Sequence, residues 1–206
     1  MTAHSELKTA LLNKLISSST FRTNIGGAPV NITGATGTST ITITAAGHGH
    51  SVGDLVRIQN VVGMTDINGY FYVGTVTTNT FTITKATTQT YGSGGTSYRM
   101  TVFYARALQG IAFPYCVFSF YTDNHSFDSG NEWEEVYIQF SLFDNNSSSG
   151  DISTLESNLI DLLDGATLTF TNYTQISLTR LSKRHSIDED NIWQTIIEYR
   201  IEMEKN

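Results

Sequence analysis

The chain has 206 residues, of which 39% are hydrophobic and 11% aromatic, enough for one good core or for a core plus a small module. A formal net charge of -7 argues against the electrostatic grip on a phosphate backbone that clustered Lys and Arg provide. The single cysteine, Cys116, excludes a disulfide within the chain, and no stretch approaches the ~20 apolar residues of a transmembrane helix.

Met1–Lys8 is polar and shows no signal peptide, so the expectation is a soluble chain made in a reducing cytoplasm. Ser5–Ser18 predicts the first helix. Leu7, Leu11, Leu12, Leu15 and Ile16 share one stripe, and Glu6 sits near the end where the helix dipole favours an anion. The Ser17–Thr20 run ends that helix, and Phe21–Ile25 reads as a short strand or an extended connector.

From about Val30 to Thr96 the composition changes to Thr and Gly, almost free of charge. Short β runs at Thr38–Thr44, Asp54–Val61, Tyr70–Val76 and Thr80–Thr84 alternate with turn signals such as Gly47-His48-Gly49-His50 and Asn68-Gly69. The spacing predicts a small all-β barrel at 30–96, inserted into a loop of a host domain made of 1–29 and 97–206.

The host resumes with a strand at Arg99–Ala105. Its centre, Gly110–Asp144, reads as two long strands joined by the polar stretch Asn124–Asn131, with Gly130-Asn131 supplying the turn. Phe113-Pro114 sets the start of the first, and Val136, Ile138, Phe140 and Leu142 form the apolar face of the second. A second helix spans about Asp151 to Leu163. Ser153-Thr154-Leu155-Glu156 fits a capping box at its start, and Gly165 marks its end. Thr167–Thr171 and Ile176–Leu181 read as short strands, and Ile192–Met203 as the last. The expected class is α+β, a mixed or antiparallel sheet covered by two helices, with the inserted barrel beside it.

Chemistry-bearing clusters are few. His48 and His50 lie in a glycine turn without Cys, Asp or Glu at ligand spacing, which reads as an inter-strand connection. His125 and His185 read as solvated loop residues without an acidic partner. Glu132, Glu134 and Glu135, and Asp188-Glu189-Asp190, read as charged strand ends. Arg180, Lys183, Arg184 and His185 form the basic cluster, and Cys116 a small core residue. No nucleophile elbow, phosphate loop, dinucleotide fingerprint or zinc spacing is present, so no enzyme, cofactor or metal is expected.

The host segments resemble the tail terminator and tail-completion proteins of long-tailed bacteriophages. The residues that carry the resemblance are the N-terminal helix, Gly110–Val117, the strand Glu135–Phe143, the helix Leu155–Asp164, and the closing strand after Asp190-Asn191-Ile192-Trp193. The insert resembles a small β-barrel module of phage structural proteins that is likened to a domain of ubiquitin-activating enzymes, through Gly47–Val56 and Val62–Gly69. The long insert departs from the compact form of the family.

The resemblance implies a virion protein, present in the host cytoplasm during assembly. It would form a ring, usually a hexamer, that ends the tail tube and joins it to the head. Partners would be further copies, the tail tube protein and head-completion or connector proteins, with DNA passing through unbound and no membrane. On that reading Trp133, Tyr137 and Phe143 are protomer-interface candidates. Glu134, Glu135, Asp188, Glu189 and Asp190 are candidates to line the lumen, where carboxylates would repel DNA. Tyr70, Phe71 and Tyr72 are contact candidates on the insert. The alternative is a head–tail connector, or a virion module that binds a protein or glycan through the barrel.

Overall fold

The computed structural model describes residues 2–128, 131–146 and 149–206, with side chains for all of these except 122–128, 131 and 149. In chain order the helices and strands are α1 (Ala3–Ser17), α2 (Ser19–Asn24), β1 (Val30–Asn31), β2 (Gly34–Thr36), β3 (Thr40–Thr44), β4 (Leu55–Gln59), β5 (Gly69–Tyr72), β6 (Thr80–Thr84) and β7 (Thr96–Arg99). Then follow β8 (Val102–Tyr104), β9 (Tyr115–Asp128), β10 (Asn131–Asp144), α3 (Ser149–Leu163), β11 (Tyr173–Ile187) and β12 (Trp193–Lys205). Two compact units result. One is Met1–Ile25, Thr101–Leu108 and Phe113–Asn206; the other is Gly26–Met100 with Gln109–Ala112.

The expected class, α+β with a sheet covered by two helices, is corrected. Among the described residues, twelve strands in three sheets, 43% of the chain, stand against three short helices, so the protein is mostly β. Two segments account for much of the difference. β11 runs fifteen residues where a six-residue strand is expected, and β9 and β10 continue as strand through most of the predicted polar turn. The Gly130 part of that turn lies outside the described residues.

In the larger unit the sheet order is β11-β12-β10-β9-β8. Every neighbouring pair is antiparallel except β8 with β9. Alternate residues Val136, Ile138, Phe140 and Leu142 of β10 and Ile197, Tyr199, Ile201 and Met203 of β12 are fully buried. They share one core with Leu7, Leu11 and Leu15 of α1 and Leu155, Leu159 and Leu163 of α3. Each such side chain contributes about 1.5–3 kcal/mol on burial. Cys116 lies in that core, and burial pushes its thiol pKa up, so it is unreactive there.

The helix ends differ from expectation. Thr2 caps α1. Glu6 lies in the first turn as expected, but it is only 5% exposed, and its carboxylate also accepts from the N–H groups of Asn172 and Thr171 and from the Asn172 side chain. Those bonds hold its pKa below the ordinary carboxylate value. Phe21–Ile25 is neither strand nor connector. Ser18 interrupts the first helix, its hydroxyl accepts from the Phe21 N–H at 3.2 Å, and α2 begins. α3 starts before the predicted capping box, because Ser153–Glu156 already lies within the helix. It stops as expected, with Gly165 at φ +70°. Thr167–Thr171 is not a strand.

The smaller unit is all-β, as the insert reading requires, with sheets β1-β7-β4-β5 and β2-β3-β6. Two corners join them. After β1 the Ile32 N–H donates to Gly95 and the Thr33 N–H to Thr44, at 2.9 and 2.8 Å. After β5 the Gly74 N–H donates to Thr82, and the Thr82 N–H to Thr75, at 2.8 and 2.9 Å. One chain segment thus serves two sheets at each corner, which closes a small barrel and removes its edges. Ile41, Ile43, Val56, Ile58, Phe81 and Ile83 fill it.

Candidate assembly surfaces

Strand parity decides where the predicted residues point. On β10 the even positions enter the core, so Trp133, Glu135, Tyr137, Gln139 and Phe143 stand on the opposite face. Across the ladder they meet Glu204, Glu202, Arg200, Glu198 and Gln194 of β12. Four of those five β12 residues are charged, three of them acidic. Trp133, Tyr137 and Phe143 are each half-buried, and they do not form one cluster. The Phe143 ring stacks on Tyr115 at 4.9 Å, Tyr137 meets Tyr121 at 5.7 Å, and Trp133 lies farther along the strand opposite Glu204.

The lumen candidates fall in three places. The Glu135 carboxylate accepts from the Tyr137 hydroxyl at 3.1 Å and lies 3.4 Å from Arg200. Glu134 has the opposite parity, level with Met203. Asp188, Glu189 and Asp190 sit at the tip between β11 and β12, all exposed. There Asp188 braces the turn. Its carboxylate accepts from the N–H groups of Ile192 and Asp190, at 2.8 and 3.0 Å, and Asn191 between them has φ +60°.

The basic cluster is placed on β11, and it has partners that sequence spacing did not show. Arg180 pairs with Asp164 at 3.1 Å and Arg184 with Glu198 at 3.4 Å. Lys183 and His185 both reach Glu156 of α3, at 2.6 and 3.2 Å. So His185 is not a solvated loop residue without an acid, and Glu156 is not a helix cap. It is a buried carboxylate that ties α3 to the edge of the sheet. The signal was in the sequence as a two-residue spacing, Lys183 and His185 on one face of a strand. His125 lies among the residues whose side chains are not described.

In the barrel, His48 and His50 are buried, 6% and 7% exposed, and are part of its packing. His48 Nδ1 accepts from the His50 N–H at 2.9 Å, which puts the ring proton on Nε2, facing the Thr77 and Thr80 carbonyls at 2.9 and 3.1 Å. His50 Nε2 lies 3.1 Å from the Ser97 hydroxyl, and both rings stand against Phe81. Burial first, then His48 and Arg99, lower the His50 pKa to about 4. No group of three or more His, Cys, Asp or Glu able to hold a metal is present among the described residues.

On β5, parity separates the insert candidates. Tyr70 and Tyr72 are 54% and 59% exposed, whereas Phe71 packs against the barrel core. The Arg57 guanidinium, unforeseen from sequence, lies over the Tyr70 ring at 4.9 Å and donates to its hydroxyl at 2.5 Å. Gln59 accepts from its Nε at 3.3 Å. Elsewhere, a cleft of about 240 Å³ lined by Asn13, Lys14, Ser17 and Thr167–Thr169 falls below the ~300–1,000 Å³ of small-molecule sites. Among the described residues no helix is long and apolar enough to cross a membrane.

Residues 37–100 match the ubiquitin-activating enzyme E1 FCCH domain family. That is less than half of the chain and lies within the smaller unit. No curated protein matches by sequence. Among solved structures, a chain from the virion of a native gene transfer agent (GTA) particle is similar, with 15% identity and a TM-score of 0.44 over 50% of this chain and 78% of that one. A likeness of that size fixes neither a shared fold nor a shared role.

Proposed function

We propose that the protein is a structural component of a phage-like virion that forms a ring at the end of the tail tube, ending the tail and joining it to the head. The observation that carries this reading is the solvent face of the five-stranded sheet. It combines half-buried aromatics, Trp133, Tyr137 and Phe143, with four carboxylates, Glu135, Glu198, Glu202 and Glu204, which outnumber the Arg184 and Arg200 paired among them. Aromatic side chains supply contact area for neighbouring proteins. Carboxylates on the same face repel a DNA backbone, which lets a genome pass without sticking. Further support comes from the sequence of the host segments, which resembles that of tail-terminator proteins. The ring number, and docking on tail tube and connector proteins, are part of the proposal.

The test is the mass of the purified full chain by size-exclusion chromatography with light scattering, followed by negative-stain imaging. A closed ring with an open centre is expected. A monomer at every concentration, or an open filament, overturns the ring.

A second reading has its own observation, the outward pair Tyr70 and Tyr72 with Arg57 held over one ring. Flat aromatic faces beside a guanidinium suit a sugar ring or a protein side chain. Loss of glycan or partner retention in Tyr72→Ala, with wild-type melting, is the expected result if the barrel is a binding module.

A further inference from the structure

The larger sheet has three register shifts, and each leaves one residue without a cross-strand partner. On β11 the pairs Gln175↔Met203 and Ser177↔Glu202 skip Ile176, and the pairs Arg180↔Tyr199 and Ser182↔Glu198 skip Leu181. On β9 the pairs Thr122↔Tyr137 and Phe120↔Ile138 skip Tyr121. All three skipped residues are large and apolar or aromatic, and they are 46%, 45% and 49% exposed. A β-bulge re-aims the side chain of its extra residue.

The wider pattern agrees. Among the described residues, the exposed large hydrophobics of the larger unit are Tyr104, Leu108, Tyr121, Ile176, Leu181 and Ile187. They lie on β8, just after it, on β9 or on β11, which are the two margins of one sheet. None lies on β10, β12 or a helix.

Bulges and charges also serve to guard an edge strand against pairing. Side chains that guard an edge are charged, Lys above all, or Pro. Here the disrupted positions carry Ile, Leu and Tyr, which is the opposite choice.

The margins differ in charge as well. β11 contains Arg180, Lys183 and Arg184 and no acid, while the described side chains of β9, Tyr115–Tyr121, include no Lys or Arg. After their pairing within the chain, the Lys183 and Arg184 side chains remain 51% and 57% exposed. Pairing of β8 with β9 stops at Phe118, so among the described residues the outer side of β9 from Ser119 onward has no strand beside it. β11 and β9 run in opposite directions, with β12 and β10 between them. Copies turned about an axis along the strands therefore bring β11 of one against β9 of the next in antiparallel sense. The levels correspond: Tyr121 lies beside the Tyr137 and Ile138 rungs, which lead across β12 to Thr179 and Arg180, next to Leu181.

We propose that the β11 margin of one copy docks on the β8–β9 margin of a second copy of this chain, head to tail, with Ile176 and Leu181 against Tyr121. The contact is heterologous, since two different surfaces meet. It rests on the ring reading only for closure; the pairing itself needs two copies.

The test uses two full-length variants. One carries Ile176→Asp and Leu181→Asp, the other Tyr121→Asp. Each alone is expected to lose the higher species of the wild type and run as a monomer in light scattering. Mixed, they retain one intact margin of each kind and should give a one-to-one dimer and nothing larger. That dimer also shows both variants to be folded. Assembly of either variant as the wild type, or a mixture that stays monomeric, overturns the proposal. A wild-type ring indifferent to both variants overturns this interface and leaves the ring standing. A wild-type monomer overturns both. A wild-type filament lost in both variants supports the interface and overturns the ring.

Discussion

His50 shows how a residue that looks like a ligand is bound into packing. Its ring is held neutral between Phe81, His48 and Ser97, with its pKa lowered to about 4 from an ordinary value of about 6.5. Between those values the unfolded chain takes up a proton that the folded barrel refuses. The stabilisation is therefore complete above about pH 6.5 and is lost as pH falls toward 4, by up to about 3 kcal/mol. Urea unfolding of the barrel followed from pH 7 to pH 4 should show that slope, and His50→Gln should flatten it. Glu156 makes a second residue-scale case. Removing its charge leaves Lys183 and His185 half in water, whereas removing both of them strands a buried carboxylate. Glu156→Gln should cost about 1 kcal/mol, and Lys183→Ala with His185→Ala about 3 kcal/mol or more, read as midpoint shifts in urea.

At the scale of elements, the barrel depends on backbone positions that admit only glycine. Gly63 has φ +88°, and a Cβ there would overlap the Thr90 carbonyl. Gly63→Ala should destabilise the barrel by about 1–3 kcal/mol, measured by thermal unfolding. The elements themselves were partly legible. The 3.6-residue stripe of α1 and the alternation of β10 could be read, because burial on one face leaves a period in the sequence. β11 could not. It is an edge strand with two bulges, so Tyr173, Ile176, Leu178, Leu181 and Ile187 keep no period of two along its length, and fifteen residues read as six. α2 was missed because six residues are too few to show a helical period, although Ser18 carried the capping signal. Of the site candidates, Tyr70, Phe71 and Tyr72 were read together as contacts, and only the structure turns Phe71 inward. The shared partner of Lys183 and His185 was not legible, because it joins a strand to a helix 27 residues earlier.

At the scale of the molecule, two hydrophobic clusters with no residue in common fill two units. Calorimetry should resolve two transitions, and Gly63→Ala should lower only the one that belongs to the barrel. A single transition shifted as a whole would show the two cores to be one cooperative body. The acidic balance acts at this scale too, because a net charge of -7 opposes non-specific attraction to DNA over the molecule as a whole.

Val30 on the first strand of the barrel and Ser97 on its last face one another across a single ladder. The polypeptide thus comes back beside the point from which it departed, and nearly seventy residues intervene without the ends being drawn apart. A segment built this way behaves as a cassette. Ends that lie side by side ask only for a short join, so an engineer could splice a different cargo at the same junction.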